Sequence, residues 1–447
     1  MRTTAIPACF TKMVKLPKIT IALCGLLGAY VGKQLAWTPP ASVAALRALA
    51  PPLQLACGAL TVLLAYVAVA LFCAAVYETD PLATTLALFG SFASHEKKRG
   101  VKVDSFIDEY NSLQTGDSKS DVDGRNSKYA TLVNAYYELA TMFYEWGWGS
   151  SFHFAYRWKG ESFADSIRRH EWYLAGRLGV APDAKVLDVG CGIGGPYRNI
   201  AKFTRADITG ITINEYQVQR ANELNAKMGL ADQVRSVQGD FMELPFGGDA
   251  FDAVYAIEAT CHAPDRNGVY GEIYRVLKPG AVFACYEWCL TDEYDKKDAS
   301  HKKIKKAIEE GDGLPDMCHT SAVDKAIKKA GFELLESRDV ALDENPGGIT
   351  WYQPLTPSWN VLSQRFQFTG FGMWLTTNLL WVLEKARLAP AGTSKVQTML
   401  QQGGIGCAQG GITGTFTPMY LIVARKPFDA PPAKGSAKKG GRARASR

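Results

Sequence analysis

Residues 186–195 read, in order, Val186-Leu187-Asp188-Val189-Gly190-Cys191-Gly192-Ile193-Gly194-Gly195. An apolar segment of strand character runs here into closely spaced glycines, and a helical pattern follows. Glycine lets the backbone approach a ligand closely, and the N-terminus of the helix beyond it favours negative charge. The spacing therefore predicts a nucleotide-binding turn, although it fits a dinucleotide and other nucleotides equally well.

The sequence on both sides of this turn alternates regularly between strand-like and helical segments. Strand character fits 185–190, 206–212, 234–240, 251–259, 281–288, 333–341 and 417–425. Such alternation is typical of a parallel, doubly wound sheet. We therefore predict an α/β fold with a doubly wound seven-stranded sheet, and an α-rich insertion between the last two strands.

Three details favour S-adenosylmethionine over a nicotinamide dinucleotide as the ligand. Asp188 precedes the first glycine by two residues, where a carboxylate can bind the cationic methionine end; a nicotinamide dinucleotide offers no ammonium group there. The second strand ends at 210–214 without the acidic residue that NAD sites use for the ribose. Asp240 follows the third strand, where methyltransferases place an acidic residue against the adenine amine. Residues 180–290 thus resemble the class I methyltransferases.

The resemblance implies a set of cofactor-binding residues around this turn. In the absence of the acidic residue after strand two, Thr212, Asn214 and Gln217 are the polar candidates for the ribose. The predicted cofactor-binding residues are Asp188, Gly190, Cys191, Gly192, Gly194, Thr212, Ile213, Asn214, Gln217, Asp240 and Phe241.

Aromatic and polar residues mix densely at 144–154 and at the ends of strands four and five. Because the carboxyl ends of strands border the ligand crevice of a doubly wound sheet, we expect Glu258, His262 and Glu287 near the transferred methyl group. An aromatic stripe alone is more often part of a core than of a site. Here carboxylates lie among the aromatic residues, which favours a site.

These three segments resemble the signature regions of the sterol C24-methyltransferases, as do 311–315 and 416–420. The likeness covers roughly 130–427. It departs from the family after strand two, where an Asn-Asn-Asn run is common, and over 343–370, where the match is loose. The departures leave the identity of the sterol open.

The resemblance implies methyl transfer to C24 of a Δ24 sterol, through a cation at C25. A cation requires electron-rich faces and a dry pocket, and loss of a proton requires a base. Glu258 or His262 is the predicted base. The other predicted catalytic residues are Tyr144, Glu145 and Glu287, the two glutamates as charge stabilisers. The predicted substrate-binding residues are Trp146, Trp148, Phe152, Phe154, Tyr255 and Trp288.

The charge of the chain is unevenly distributed. The overall formal charge is +6, but residues 1–77 carry six Lys and Arg with no Asp or Glu, and 78–424 sum to −7. An acidic body with basic ends argues against nucleic-acid binding and favours contact with an anionic membrane. Leu53–Tyr77 is long enough to span a bilayer, whereas Ile19–Gly32 is short for a span. A cleaved presequence or a buried helix are the alternatives.

We divide the chain into five parts on this basis. They are a membrane-anchoring region (1–100), a linker (101–128), the methyltransferase domain (129–342), a sterol methyltransferase C-terminal domain (343–427) and a disordered basic tail (428–447). The aromatic-rich insertion is expected to form a lipid-facing wall of the site. The predicted location is the endoplasmic reticulum membrane with the catalytic domain facing the cytosol. A homo-oligomer is possible, and membrane lipid is an expected partner.

The ten cysteines form no Cys-x-x-Cys pair and the six histidines are dispersed. We therefore expect reduced thiols and no bound metal. Two other functions remain open. One is methylation of a different acceptor, such as a tocopherol, a phosphobase or a fatty acyl chain. The other is a non-catalytic sterol carrier, which need not bind S-adenosylmethionine.

Overall fold

A seven-stranded sheet with the order β3-β2-β1-β4-β5-β7-β6 forms the centre of the protein. The computed structural model describes residues 103–431, apart from positions 115, 117, 361, 362, 386 and 388. The first five strands are parallel, and β7 runs antiparallel between β5 and β6. The strands are β1 (Lys185–Val189), β2 (Asp207–Thr212), β3 (Val234–Gln238), β4 (Phe251–Ile257), β5 (Leu277–Leu290), β6 (Glu333–Asp339) and β7 (Phe416–Arg425). The predicted fold is confirmed, with all seven strands near their expected positions.

Helices cover both faces of this sheet. They are α1 (Val103–Leu113), α2 (Lys119–Ser127), α3 (Tyr129–Gly147), α4 (Phe163–Leu178), α5 (Gly195–Thr204), α6 (Glu215–Lys227), α7 (Arg266–Val276), α8 (Ala299–Asp312), α9 (Thr320–Lys329), α10 (Gly370–Lys385) and α11 (Thr393–Thr413). Successive strand residues point to opposite faces, so Val186 joins the core under α4 to α6, and Leu187 joins the core under α7 and α9. The sheet is therefore buried on both sides, as a parallel sheet requires.

The strand order reverses between β1 and β4, because β2 follows β1 on one side and β4 lies on the other. At such a point the connections leave the sheet in opposite directions and open a crevice beyond the carboxyl ends of the strands. The glycine turn after β1 and Glu258 after β4 both lie there. The topology thus brings the two parts of the predicted site together.

The segment that we expected to be a linker is helical where it is described. The side chains of Ile107 and Tyr110 are buried, and the Tyr110 hydroxyl donates to the carbonyl of Glu310 at 2.5 Å. Ser118 begins α2 by accepting a hydrogen bond from the backbone of Asp121. This capping box stabilises a helix whose sequence is mostly polar. Residues 103–127 therefore belong to the folded domain.

The insertion between β6 and β7 contains the two helices α10 and α11, together with short 3₁₀ turns. Among the described residues, none of the helices combines the length and the apolar character that crossing a bilayer requires. The predicted segments Ile19–Gly32 and Leu53–Tyr77 lie outside the described residues, and so does most of the predicted basic tail.

Candidate active site

Two cavities meet at the carboxyl ends of β1 and β4. The first has an empty volume of about 730 Å³ and is bordered by the glycine turn and by the ends of β2 and β3. The second has about 1190 Å³, including its mouth, and is bordered by α3, α8, α11 and the 144–154 segment. Both are bordered by Tyr137, Phe152, His153, Glu258 and His262. A group bound in one cavity can therefore react with a group bound in the other across these shared residues.

The glycine turn has the shape that a close ligand contact requires. Gly190 has φ +81°, and a Cβ atom there would lie 2.3 Å from Cβ of Ala259. Any side chain at this position would therefore be strained and would collide with the wall of the first cavity. Glycine therefore allows Ala259 to pack against the turn, and Gly190 itself borders the first cavity.

Most of the predicted cofactor residues border the first cavity. They are Gly190, Cys191, Gly192, Thr212, Ile213, Gln217, Asp240 and Phe241. Thr212 Oγ1 donates to Oε1 of Gln217 at 2.7 Å, and Asp240 accepts from the Tyr129 hydroxyl and from the backbone of Met242. Hydroxyl, amide and carboxylate groups thus border the cavity beside the glycine turn, so the residues present fit the ribose and adenine of S-adenosylmethionine.

Three predicted cofactor residues lie outside the lining of this cavity. Gly194 and Asn214 are the N-caps of α5 and α6, and the Asn214 side chain accepts from the backbone of Gln217. Both residues build helix starts, and their direct contact with the cofactor stays a prediction. Asp188 is buried below the turn and accepts from the Tyr255 hydroxyl at 3.0 Å; burial raises the pKa of Asp188 to about 7. Its contact with the methionine end stays a prediction.

The second cavity is mainly aromatic, as the 144–154 segment led us to expect. Tyr144, Trp148, Phe152, Phe154 and Trp288 all border it. The rings of Phe154 and Trp288 lie 5.9 Å apart, and those of Trp148 and Phe154 meet edge to face at 5.4 Å. These contacts pack the rings into one aromatic wall. The side chain of Trp146 lies outside the described part of the chain.

Glu258 occupies a strained backbone position directly after β4. Its φ is +52°, in the left-handed region that side chains other than glycine rarely adopt. In this backbone conformation the carboxylate lies at the boundary of the two cavities. It accepts 2.8 Å hydrogen bonds from the backbone of Phe154 and from Nε1 of Trp288. Burial raises the pKa of Glu258 to about 8. Backbone strain of this kind concentrates at functional sites.

His262 also lies where the sequence predicted, and it forms a pair with Tyr137. Its Nε2 is 2.9 Å from the Tyr137 hydroxyl, and its Nδ1 is 3.1 Å from the carbonyl of Gly313. A carbonyl only accepts, so Nδ1 carries the proton and Nε2 accepts from Tyr137. Burial lowers the pKa of His262 to about 4. Both ring nitrogens are therefore engaged and the ring is neutral.

Three predicted site residues lie outside both cavities, which corrects their expected placement. Glu145 forms an ion pair with Arg220 of α6, because it points away from Tyr144 on the same helix. Glu287 is buried on the far side of β5, where it accepts from Thr260 and from Tyr270 at 2.8 Å. Tyr255 is buried in β4, where its hydroxyl contacts Asp188.

Sequence reasoning missed Asp312 and Tyr137. Asp312 ends α8 and borders the second cavity, where it lies 3.4 Å from the Tyr144 hydroxyl and 3.6 Å from Sγ of Cys407. Burial raises the pKa of Asp312 to about 7. The 311–315 turn had already been noted as similar to the sterol C24-methyltransferases, which was a signal for Asp312. Tyr137 lies in an ordinary amphipathic pattern and gave none.

Known protein families and individual proteins match much of this chain. A methyltransferase domain model matches residues 187–285, and a model described as sterol methyltransferase C-terminal matches 363–428. A cycloartenol-C-24-methyltransferase of Arabidopsis thaliana is 53% identical over 303 residues, which is 68% of this chain and 89% of that protein.

A second relative comes from a fungus. A sterol 24-C-methyltransferase of Saccharomyces cerevisiae is 47% identical over 327 residues, which is 71% of this chain and 85% of that protein. Both relatives are thus well above 30% identical over more than two thirds of this chain. The chain therefore belongs to the sterol 24-C-methyltransferase family and is an S-adenosylmethionine-dependent methyltransferase.

Proposed function

We propose that this protein transfers the methyl group of S-adenosylmethionine to C24 of a Δ24 sterol and releases a 24-methylene sterol. The observation that carries the proposal is the position of Glu258 on the boundary of the cavity beside the glycine turn and a larger aromatic one. The first cavity would hold the cofactor, which supplies an electrophilic methyl group. The second would hold the sterol, with its side chain toward Glu258. We call the first cavity the cofactor cavity and the second the sterol cavity.

The aromatic walls fit the charge that this reaction creates. An alkene is a weak nucleophile, so holding C24 against the methyl group accounts for much of the acceleration. The new carbon–carbon bond leaves a cation at C25. Tyr144, Trp148 and Trp288 border the cavity; they offer electron-rich faces and exclude the water that would quench the cation.

Glu258 is the base in this proposal. A hydride moves from C24 to C25, and the cation then at C24 loses a proton from the added carbon, which forms the exocyclic double bond. The ionised carboxylate of Glu258 accepts this proton. His262 is less suited, because its single free lone pair, on Nε2, already accepts from Tyr137, whereas each carboxylate oxygen of Glu258 keeps a second lone pair. It holds the Tyr137 hydroxyl in the shared boundary and acts as a positioning residue.

The test is incubation of the full chain with methyl-labelled S-adenosylmethionine and three sterols: cycloartenol, lanosterol and zymosterol. We expect label in a 24-methylene sterol, identified by gas chromatography with mass spectrometry, and the preferred sterol defines the acceptor. Binding of S-adenosylmethionine without label in any sterol would contradict the proposal. A tocopherol, a phosphobase and an unsaturated fatty acyl lipid would then be tested in the same assay.

We also propose that the insertion contacts a membrane directly. On α10, Phe371, Trp374, Leu379 and Trp381 are exposed on one face. Phe366 links this surface to the sterol cavity: its ring lies 6.2 Å from that of Phe371, and the next two residues border the cavity. A sterol resides in a bilayer, so an apolar surface beside the cavity would let it enter without crossing water. The predicted location at the endoplasmic reticulum is part of this proposal.

The double substitution Trp374→Glu with Trp381→Glu tests the membrane contact. We expect kcat/KM to fall about tenfold for sterol in phosphatidylcholine vesicles, because two aromatic side chains no longer enter the lipid. For the same sterol delivered by cyclodextrin, kcat/KM should keep its wild-type value. The control is Leu342→Glu, at an exposed apolar residue away from α10. An equal loss with both forms of delivery would refute the contact.

A further inference from the structure

Two amide side chains of α11 border the sterol cavity, in addition to Gln367 of the 3₁₀ turn before α10. Gln397 and Gln401 are one turn apart on α11, and both border the cavity beside Leu400 and Gly404. They are 8% and 6% exposed. Neither borders the cofactor cavity. The residues thus form a small polar patch, facing the sterol cavity only.

The amide of Gln401 has an unused donor. Its Nε2 makes no hydrogen bond with any of the described residues, although that atom is buried. A buried donor without a partner is unfavourable and uncommon in folded proteins. It is therefore a position where a ligand oxygen would be stabilised.

The patch lies far from the reacting end of the cavity. Cys407 is further along the same face of α11, where it contacts Asp312 and lies within electrostatic reach of Glu258. At 1.5 Å per helical residue, Gln401 and Gln397 lie about 9 Å and about 15 Å from Cys407 along the helix axis. A sterol has its only polar group, the 3-hydroxyl, at the opposite end of a rigid ring system from C24.

We propose that Gln401 and Gln397 bind the 3β-hydroxyl of the sterol. Gln401 Nε2 donates to the hydroxyl oxygen, and the hydroxyl donates to Oε1 of Gln397. A hydroxyl is both donor and acceptor, so it suits either orientation of the two amides. The inference rests on the proposed function, and it adds that this patch sets the depth at which C24 meets the methyl group.

The test compares a Δ24 3β-hydroxysterol with its 3-deoxy counterpart, using the full chain. We expect wild-type protein to favour the hydroxysterol at least tenfold in kcat/KM. Gln401→Leu keeps the side-chain volume but removes the donor. It should lower kcat/KM for the hydroxysterol about tenfold and leave the 3-deoxy sterol unaffected, so that the preference disappears. Gln397→Leu, on the other side of the hydroxyl, should reduce the preference in the same direction.

Gln402→Leu is the matched control, because Gln402 is exposed on the adjacent position of the same helix; it should keep the wild-type preference. Turnover of the 3-deoxy sterol by Gln401→Leu shows that the variant is folded. The inference is overturned if wild-type protein has no preference, or if both glutamine variants retain it while methylation proceeds. Absence of methylation of either sterol by wild-type protein would instead refute the proposed function, and the inference with it.

Discussion

Glu258→Gln is expected to bind S-adenosylmethionine and sterol and to lose turnover by a factor of about 10²–10⁴, the range that a positioned base contributes. Gln has nearly the same volume, and its amide oxygen can still accept from either Phe154 or Trp288. It cannot accept the proton that the reaction releases. The measurement is single-turnover formation of labelled sterol, together with cofactor binding by calorimetry.

The control for this variant is Glu223→Gln, at an exposed position on α6, which should retain wild-type turnover. Normal formation of the 24-methylene sterol by Glu258→Gln would remove Glu258 from the mechanism. A variant that accumulates a sterol alcohol instead would show that the cation forms and is trapped by water, which would still place the missing step at proton loss.

The ionisation of Glu258 also predicts the pH dependence of the wild-type enzyme. Burial raises its pKa from 4.5 to about 8, so at neutral pH the cofactor-free protein mostly carries the protonated, inactive form. The kcat/KM for S-adenosylmethionine should therefore rise with pH and reach half its maximum near pH 8. With saturating cofactor, the sulfonium charge favours the carboxylate, so the kcat profile should reach half its maximum at lower pH. If the pH profiles of kcat/KM and of kcat have the same midpoint, the sulfonium charge of the bound cofactor does not affect the ionisation of Glu258.

The sequence predicted the sheet well because its signals are local. The glycine turn and the period-two burial of strands such as β1 require no knowledge of distant residues. The same locality explains Glu258 and His262, which follow β4 directly and so had to lie at the carboxyl edge. A local reading also led to the wrong placement of Glu287. Glu287 and Trp288 are neighbours in β5 and point to opposite faces of the sheet, so only Trp288 borders the cavity.

The remaining site residues depend on contacts between distant parts of the chain. Glu145 follows Tyr144 by one residue on α3, so its side chain points elsewhere and meets Arg220. Asp312 and Gln401 border the sterol cavity only because α8 and α11 pack side by side. No local sequence pattern predicts that these two helices pack against each other. The family resemblance supplied part of what the spacing of residues could not.

The second large effect is expected from a substitution at the contact between α8 and α11. A Cβ atom at Gly311 would lie 2.2 Å from the Cα atom of Gly403, which is backbone and cannot move aside. Gly311→Val must therefore push the two helices apart and open the core between them. We expect the free energy of unfolding to fall by about 3 kcal/mol, at the upper end for overpacked cores, and Tm to fall by roughly 3–5 °C, because the entropy of unfolding of a chain of this length is large.

Gly271→Val is the matched control for this substitution, because Gly271 is also helical and a Cβ atom there meets nothing within 4 Å. Thermal unfolding followed by circular dichroism should leave its Tm within about 1 °C of wild type. Because α8 and α11 carry Asp312 and the Gln397–Gln401 patch, Gly311→Val should also raise KM for sterol while KM for S-adenosylmethionine changes little, since the cofactor cavity touches neither helix. Equal Tm values for the two valine variants would mean that the helices can separate without cost, and the packing of this wall would then contribute neither to stability nor to the fit of the sterol.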